Sequence, residues 1–211
     1  MKPRAIFFDI DGTILPFEGI ISHLQDACRH FKVRVVTKKE VMENAIGYTI
    51  KESMPKLVPE TRKFINEFSD YYRKICNKDV KSIKPFPYVK KVFIWIKKKK
   101  IEIGIVTTKS KIQAEVTLNY YKLPNDVVIG HDDVQKRKPN PEPVLKACKI
   151  LRVKPKDCIF VGDHPFDMIA SKKAGCLPIG VLTGWGNRRN LKAAGAKYLI
   201  KDLRDLKKII E

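Results

Sequence analysis

Six short apolar runs, "AIFFDI", "IEIGIVTT", "DVVIG", "DCIFVGD", "LPIGVL" and "KYLI", recur along this chain. Each is too short for an ordinary helix, and none alternates strictly between apolar and polar residues. Strands of that kind must be covered on both faces, which points to a mainly parallel sheet. Between them lie "PYVKKVFIWIKKKK", "KIQAEVTLNYYKL", "PEPVLKACKILR" and "PFDMIASKKAGC", with apolar residues near helical spacing. Strands alternating with helices predict a doubly wound α/β domain with a Rossmann-like core.

One interval breaks the rhythm. From Pro16 to Lys84 no strand is evident; "GIISHLQDACRHF", "TKKEVMENAIGY" and "ETRKFINEFSDYYRKIC" read as helices instead. The expected organisation is therefore a core of residues 1–15 and 85–211, with a helical insertion over 16–84 after the first strand. Pro85 and Pro87 mark the return to the sheet. "KKKK" at Lys97–Lys100 reads as a helix C-terminus, where cations suit the macrodipole.

Length and composition suit one domain with an insertion: 211 residues, 44% hydrophobic and 31% charged. The formal net charge of +20 is the unusual number, because such a field attracts phosphorylated metabolites, nucleic acid and acidic membrane surfaces alike. The lysines and arginines are scattered over helix ends, as in "KKKK" and "NRRNLK", and aromatics are not interleaved with them as a stacking platform requires. A small anionic substrate is expected rather than nucleic acid. The five cysteines, Cys28, Cys76, Cys148, Cys158 and Cys176, form no CxxC pair and read as reduced, mostly buried thiols. His23, His30, His131 and His164 lack zinc spacing with them. Met1 leads almost directly into the first strand, leaving no room for a signal peptide, and no apolar stretch is long enough to cross a bilayer. A cytoplasmic protein without a membrane partner is expected.

Two acids, Asp9 and Asp11, stand where the first strand should end. At about 4 Å and an effective dielectric near 20, two such charges repel by roughly 4 kcal/mol, so the pair needs compensation. In sheets of this class ligands gather at the carboxyl ends of the strands. There the first strand delivers Asp9, Asp11, Gly12 and Thr13, the second Thr107 and Thr108, and "DCIFVGD" delivers Asp163 with Asp167 a helical turn on. "QKRKPNPEP" supplies Lys138 ahead of a helix, and Pro139 holds Lys138 out of helical conformation. By charge alone Lys136 and Arg137 are its equals.

These segments resemble the four motifs of the haloacid dehalogenase-like superfamily, in its phosphoglycolate phosphatase-like branch. "DIDGT", "IVTT", "KPNPEP" and "GDHPFD" match them in order, and the helical insertion falls where the family often places a small helical cap. The resemblance implies a phosphatase with Asp9 as nucleophile, forming an aspartyl-phosphate, and Asp11 as general acid and then base. It selects Lys138 over its neighbours as the ammonium that neutralises Asp9 and the transferring phosphoryl group. Gly12, Thr107, Thr108 and Lys138 would bind phosphate. Mg²⁺ is implied, held by Asp9, the Asp11 backbone carbonyl, Asp163 and Asp167, since oxygen donors suit that ion. Phosphoglycolate is the favoured substrate; pyrophosphate, a nucleotide monophosphate or mutase-type transfer would use the same residues. In the insertion, Gly47 marks a turn and Lys51 is a candidate substrate contact. The sequence departs from the commonest pattern at His164, where Ser or Thr is frequent, and at Thr108, where Asn is common. "TGWGNRR", with Trp185, reads as a loop on the same rim.

Overall fold

The computed structural model describes residues 2–211, so Met1 and the expectation about a leader lie outside it. Strand β1 (Ala5–Phe8) is followed by helices α1 (Glu18–His30), α2 (Lys38–Asn44), α3 (Ile50–Leu57), α4 (Ile65–Lys78) and α5 (Val89–Lys98). Then come β2 (Glu102–Val106), α6 (Lys111–Tyr120), β3 (Val127–Ile129), α7 (Glu142–Leu151), β4 (Cys158–Gly162) and α8 (Pro165–Ala174). β5 (Leu177–Val181), α9 (Arg188–Ala193), β6 (Tyr198–Ile200) and α10 (Leu206–Ile210) close the chain. It forms two compact units, one of Met1–Pro16 with Lys84–Glu211, the other Phe17–Ile83.

The first unit holds a sheet in the order β3-β2-β1-β4-β5-β6, parallel throughout. All six predicted strands are present, and the doubly wound α/β architecture is as the sequence indicates. β1 is central: Phe8 lies in register with Ile105 on one side and Val161 on the other. The residues that follow β1, β2 and β4 therefore leave the sheet side by side. The burial of β1 and β4 is complete along their length, which explains why their sequences do not alternate. Phe7, Val106, Val144, Ala147, Phe160 and Ala170 pack one face, and the Phe8 ring meets Phe93 of α5 at 4.8 Å on the other.

The second unit is helical, with Leu24, Met54, Val58 and Phe68 fully buried in its own core. Truncating Phe68 to alanine there should cost about 3–5 kcal/mol. Its helices differ in extent from the sequence reading. "TKKEVMENAIGY" stops being helical at Asn44, Gly47 turns with φ +85°, and an unanticipated α3 starts after Thr49. The local cause is visible afterwards: Thr37 with Glu40 and Thr49 with Glu52 form two successive capping boxes. "ETRKFINEFSDYYRKIC" opens as a 3₁₀ turn, Pro59–Phe64, before α4 begins. Lys51 on α3 donates to Asn66 Oδ1 at 2.8 Å. In the first unit, "TGWGNRR" is loop only as far as Asn187, whose side chain accepts from Asn190 N–H and caps α9.

Candidate active site

The carboxyl edge of the sheet gathers the acids. Asp9 follows β1, Asp163 follows β4, and Asp167 sits in the first turn of α8; one carboxylate oxygen from each lies within 4.8 Å of the others. All three side chains are buried. Lys138 reaches them from the loop before α7. Its Nζ donates to Asp9 Oδ1 at 2.9 Å, to Asp167 Oδ1 at 2.7 Å and to the Val106 carbonyl at 3.0 Å. An ammonium has three N–H donors, so its orientation is fully fixed. Lys136 is exposed and Arg137 only partly so.

Each carboxylate is also held in place. Asp163 accepts from the Thr13 hydroxyl at 3.0 Å and from the Trp185 N–H at 2.8 Å. Asp167 accepts from the His164 N–H at 3.0 Å, a cap on α8. Glycines make room for this. A Cβ on Gly184 would stand 2.0 Å from Asp163 Oδ2, and one on Gly12, at φ +81°, 2.2 Å from the same atom. The Thr183 hydroxyl donates to the Gly12 carbonyl at 2.6 Å, tying the two loops together.

Asp11 takes a different partner. Its Oδ2 lies 2.9 Å from Nζ of Lys109, the residue after the "TT" pair. Buried Thr107 accepts through Oγ1 from the Lys109 N–H at 3.2 Å, and Thr108 is half-buried beside it. The ring of His164, at 8% exposure, sits 4.7 Å from Trp185 and 4.6 Å from Phe166.

Burial drives the electrostatics. It raises Asp163 well above the ordinary carboxylate range, with Asp9 and Asp167 adding repulsion. It pushes Asp167 up to about 6 despite the pull of Lys138. Asp11 is raised by burial too, with Lys109 acting against the rise. For Lys138 burial opposes the charge, but Asp167 and Asp9 outweigh it and hold the ammonium firmly protonated. Burial, helped by Lys138, lowers His164 to about 4, so its ring is neutral at pH 7.

Three clustered carboxylates facing one ammonium leave an excess of negative charge, which either protons or a cation must offset. The donor set is oxygen only, which fits a hard divalent ion such as Mg²⁺. Asp9, Asp163 and Asp167 are the side chains placed to hold it.

The haloacid dehalogenase-like hydrolase family matches residues 6–181, a span that includes Asp9, Asp11, Lys109, Lys138, Asp163 and Asp167. The chain belongs to that family. Pyrophosphatase PpaX of Bacillus mycoides (strain KBAB4) is 30% identical over 214 residues, covering 100% of this chain and 98% of that one. Two crystal structures share the fold, each at 20% identity. One, a predicted phosphoglycolate phosphatase from Haemophilus somnus 129PT, has a TM-score of 0.87 over 100% of this chain and 99% of its own. The other, CbbY from Rhodobacter sphaeroides in complex with phosphate, has a TM-score of 0.84 over 97% and 96%.

Sequence reasoning named Asp9, Asp11, Gly12, Thr107, Thr108, Lys138, Asp163 and Asp167, and the sheet brings these to one edge. Gly47 and Lys51 belong to the helical unit. Sequence reasoning did not name Lys109 or Thr183; it placed Thr13 at the end of β1 and the Trp185 loop on the same rim, but gave neither a role. Lys109 directly follows the second motif, so its proximity was readable; the Trp185 contact is made by backbone and leaves no side-chain signature.

Proposed function

We propose that this family member is a magnesium-dependent phosphatase that passes a phosphoryl group through Asp9. The observation that carries this reading is the Lys138 bridge between Asp9 and Asp167 at the sheet edge. It keeps a carboxylate in place beside a second anion, which a nucleophile approaching a charged phosphate requires. A carboxylate oxygen of Asp9 attacks phosphorus, the bond to the leaving oxygen breaks, and Asp11 protonates that oxygen. Asp11 then takes a proton from the water that attacks the aspartyl-phosphate, freeing Asp9 and inorganic phosphate. Gly12, Thr107 and Thr108 surround the phosphoryl oxygens, with Lys138 neutralising them. Bound Mg²⁺, held by Asp9, Asp163, Asp167 and the Asp11 carbonyl, supplies charge neutralisation at the phosphoryl group.

The unit Phe17–Ile83 serves as a cap that selects the substrate, with Gly47 and Lys51 as its candidate contacts. Inorganic pyrophosphate is the first substrate to test, supported by the likeness to a pyrophosphatase along the whole chain. Phosphoglycolate, the favourite of the motif resemblance, stands second. The test is phosphate release from pyrophosphate, phosphoglycolate and a set of sugar phosphates with Mg²⁺, comparing the native chain with Asp9→Asn. Release that depends on both Mg²⁺ and Asp9 supports the proposal, and turnover retained in Asp9→Asn overturns it. A sugar phosphate isomer formed in place of free phosphate would assign mutase chemistry.

A further inference from the structure

The helical unit carries a second constellation, unrelated to the carboxylate cluster. The Sγ of Cys76, in the last turn of α4, lies 3.3 Å from Nδ1 of His23 on α1. The other ring nitrogen of His23 lies 3.5 Å from Oδ2 of Asp79, the residue that caps α4. His23 is 4% exposed, and the edge of Tyr72 borders its ring at a centroid distance of 6.5 Å. Asp79 accepts from the Ser82 hydroxyl at 2.5 Å. That bond, and then His23, hold its carboxyl below the usual range, so it is an anion at pH 7.

We propose that His23 and Asp79 activate Cys76 as this chain's site of exchange with small anionic disulfides. The order carboxylate, imidazole, thiol fixes the direction of proton movement. With Nε2–H directed at Asp79, Nδ1 is the free base that accepts the thiol proton. The closing turn of α4 disfavours an isolated thiolate but favours an imidazolium, so the charges form as a pair. A thiol that only filled space would need neither partner. The remaining four cysteines are buried, whereas Cys76 is part-exposed. Exposed Lys74, Lys78 and Lys81 flank it in sequence, an excess of positive charge that favours a carboxylate-bearing disulfide.

The reaction balances without any further reductant or oxidant. The Cys76 thiolate attacks one sulfur of the small disulfide, a new S–S bond forms and the old one breaks. The departing thiolate takes the proton held at His23. The products are a mixed disulfide on Cys76 and one free small thiol.

The test uses the native full chain and oxidised glutathione as the probe, following mixed disulfide at each cysteine by peptide mass. Cys76 should react first, about tenfold faster than the same cysteine in a short peptide of sequence KICNK, as an activated thiol does. His23→Gln should remove that advantage, and Asp79→Asn should reduce it by about threefold, as loss of an orienting partner does. A native rate equal to that of the peptide overturns the proposal, as does a His23→Gln rate equal to native. If His23→Gln fails to fold, the Asp79→Asn rate decides, because that side chain is 47% exposed and its replacement leaves the core intact. An unchanged rate in Asp79→Asn then overturns the relay.

Discussion

Lys109 and Asp11 form an ion pair of 2.9 Å with both side chains largely buried, at 17% and 14% exposure. The pair sets the proton affinity of the proposed general acid. Burial raises the Asp11 carboxyl and Lys109 restrains the rise, so removing the ammonium should raise it further. In Lys109→Gln the protonated acid persists to higher pH. The alkaline limb of kcat/KM should move up by about one pH unit, read from a pH–rate profile. A limb that stays put would mean that Asp11 is not the acid, or that Lys109 does not act on it.

Asp11→Asn separates the acid from the nucleophile. Hydrolysis of an alkyl phosphate should slow by about 10²–10⁴-fold, the usual contribution of general acid–base catalysis. Formation of the aspartyl-phosphate from p-nitrophenyl phosphate, whose leaving group needs no proton, should slow far less in a single-turnover burst. Equal losses for the two substrates would remove Asp11 from that role.

Lys138→Met tests the ammonium as a structural group. Asp9 and Asp167 would face each other without their shared counter-charge, and breaking a buried pair of this kind costs about 3–5 kcal/mol. Urea unfolding of the metal-free chain should show that loss, and saturating Mg²⁺ should recover part of it. Lower stability with no response to Mg²⁺ would argue against a cation at these carboxylates.

Magnesium dependence should itself depend on pH. Asp163 is raised well above the ordinary range and Asp167 to about 6, both first by burial. A carboxyl must lose its proton to bind the ion, so protons compete below those values. The Mg²⁺ concentration for half-maximal phosphate release should climb as pH falls from 7.5 to 5.5, by about tenfold per unit for each proton displaced. A flat profile would contradict the ligand set.

Gly184→Ala probes the loop that holds Asp163. A methyl group there meets Asp163 Oδ2 at 2.0 Å, so the carboxylate must turn. Half-saturation by Mg²⁺ should weaken by about 10–100-fold, the usual penalty for displacing a ligand's support. An unchanged Mg²⁺ response would mean that Asp163 is not a ligand.

The strands and the acids were legible because each leaves a local trace, an apolar run or a charge where a run ends; Lys138 was separated from Lys136 and Arg137 only by the resemblance of its Lys-Pro pair. What the chain does not print is pairing across distance. Asp163 is steadied by Thr13 and by the Trp185 N–H. The Thr13 hydroxyl reaches a residue 150 positions away, which no local pattern reports, and the Trp185 donor is backbone, which has no residue type. The nearness of Lys109 to the second motif was readable, but its pairing with Asp11 was not, since it is one cation among 43 lysines and arginines. In the helical unit α3 escaped notice because its apolar residues are few, although the Thr49–Glu52 box announced its start. Cys76, His23 and Asp79 come from the two ends of that unit, so only its packing could introduce them to one another.

The middle position of β1 has a temporal meaning. Phe8 is aligned by Ile105 and by Val161, so the earliest strand made must wait for two much later ones. A ribosome that has released only the first half of this protein has already made Asp9 and Asp11, yet neither Lys138 nor Asp163 exists to restrain them. The site is thus incomplete until synthesis is well advanced, and a prematurely terminated product would carry the proposed nucleophile, Asp9, without its partners.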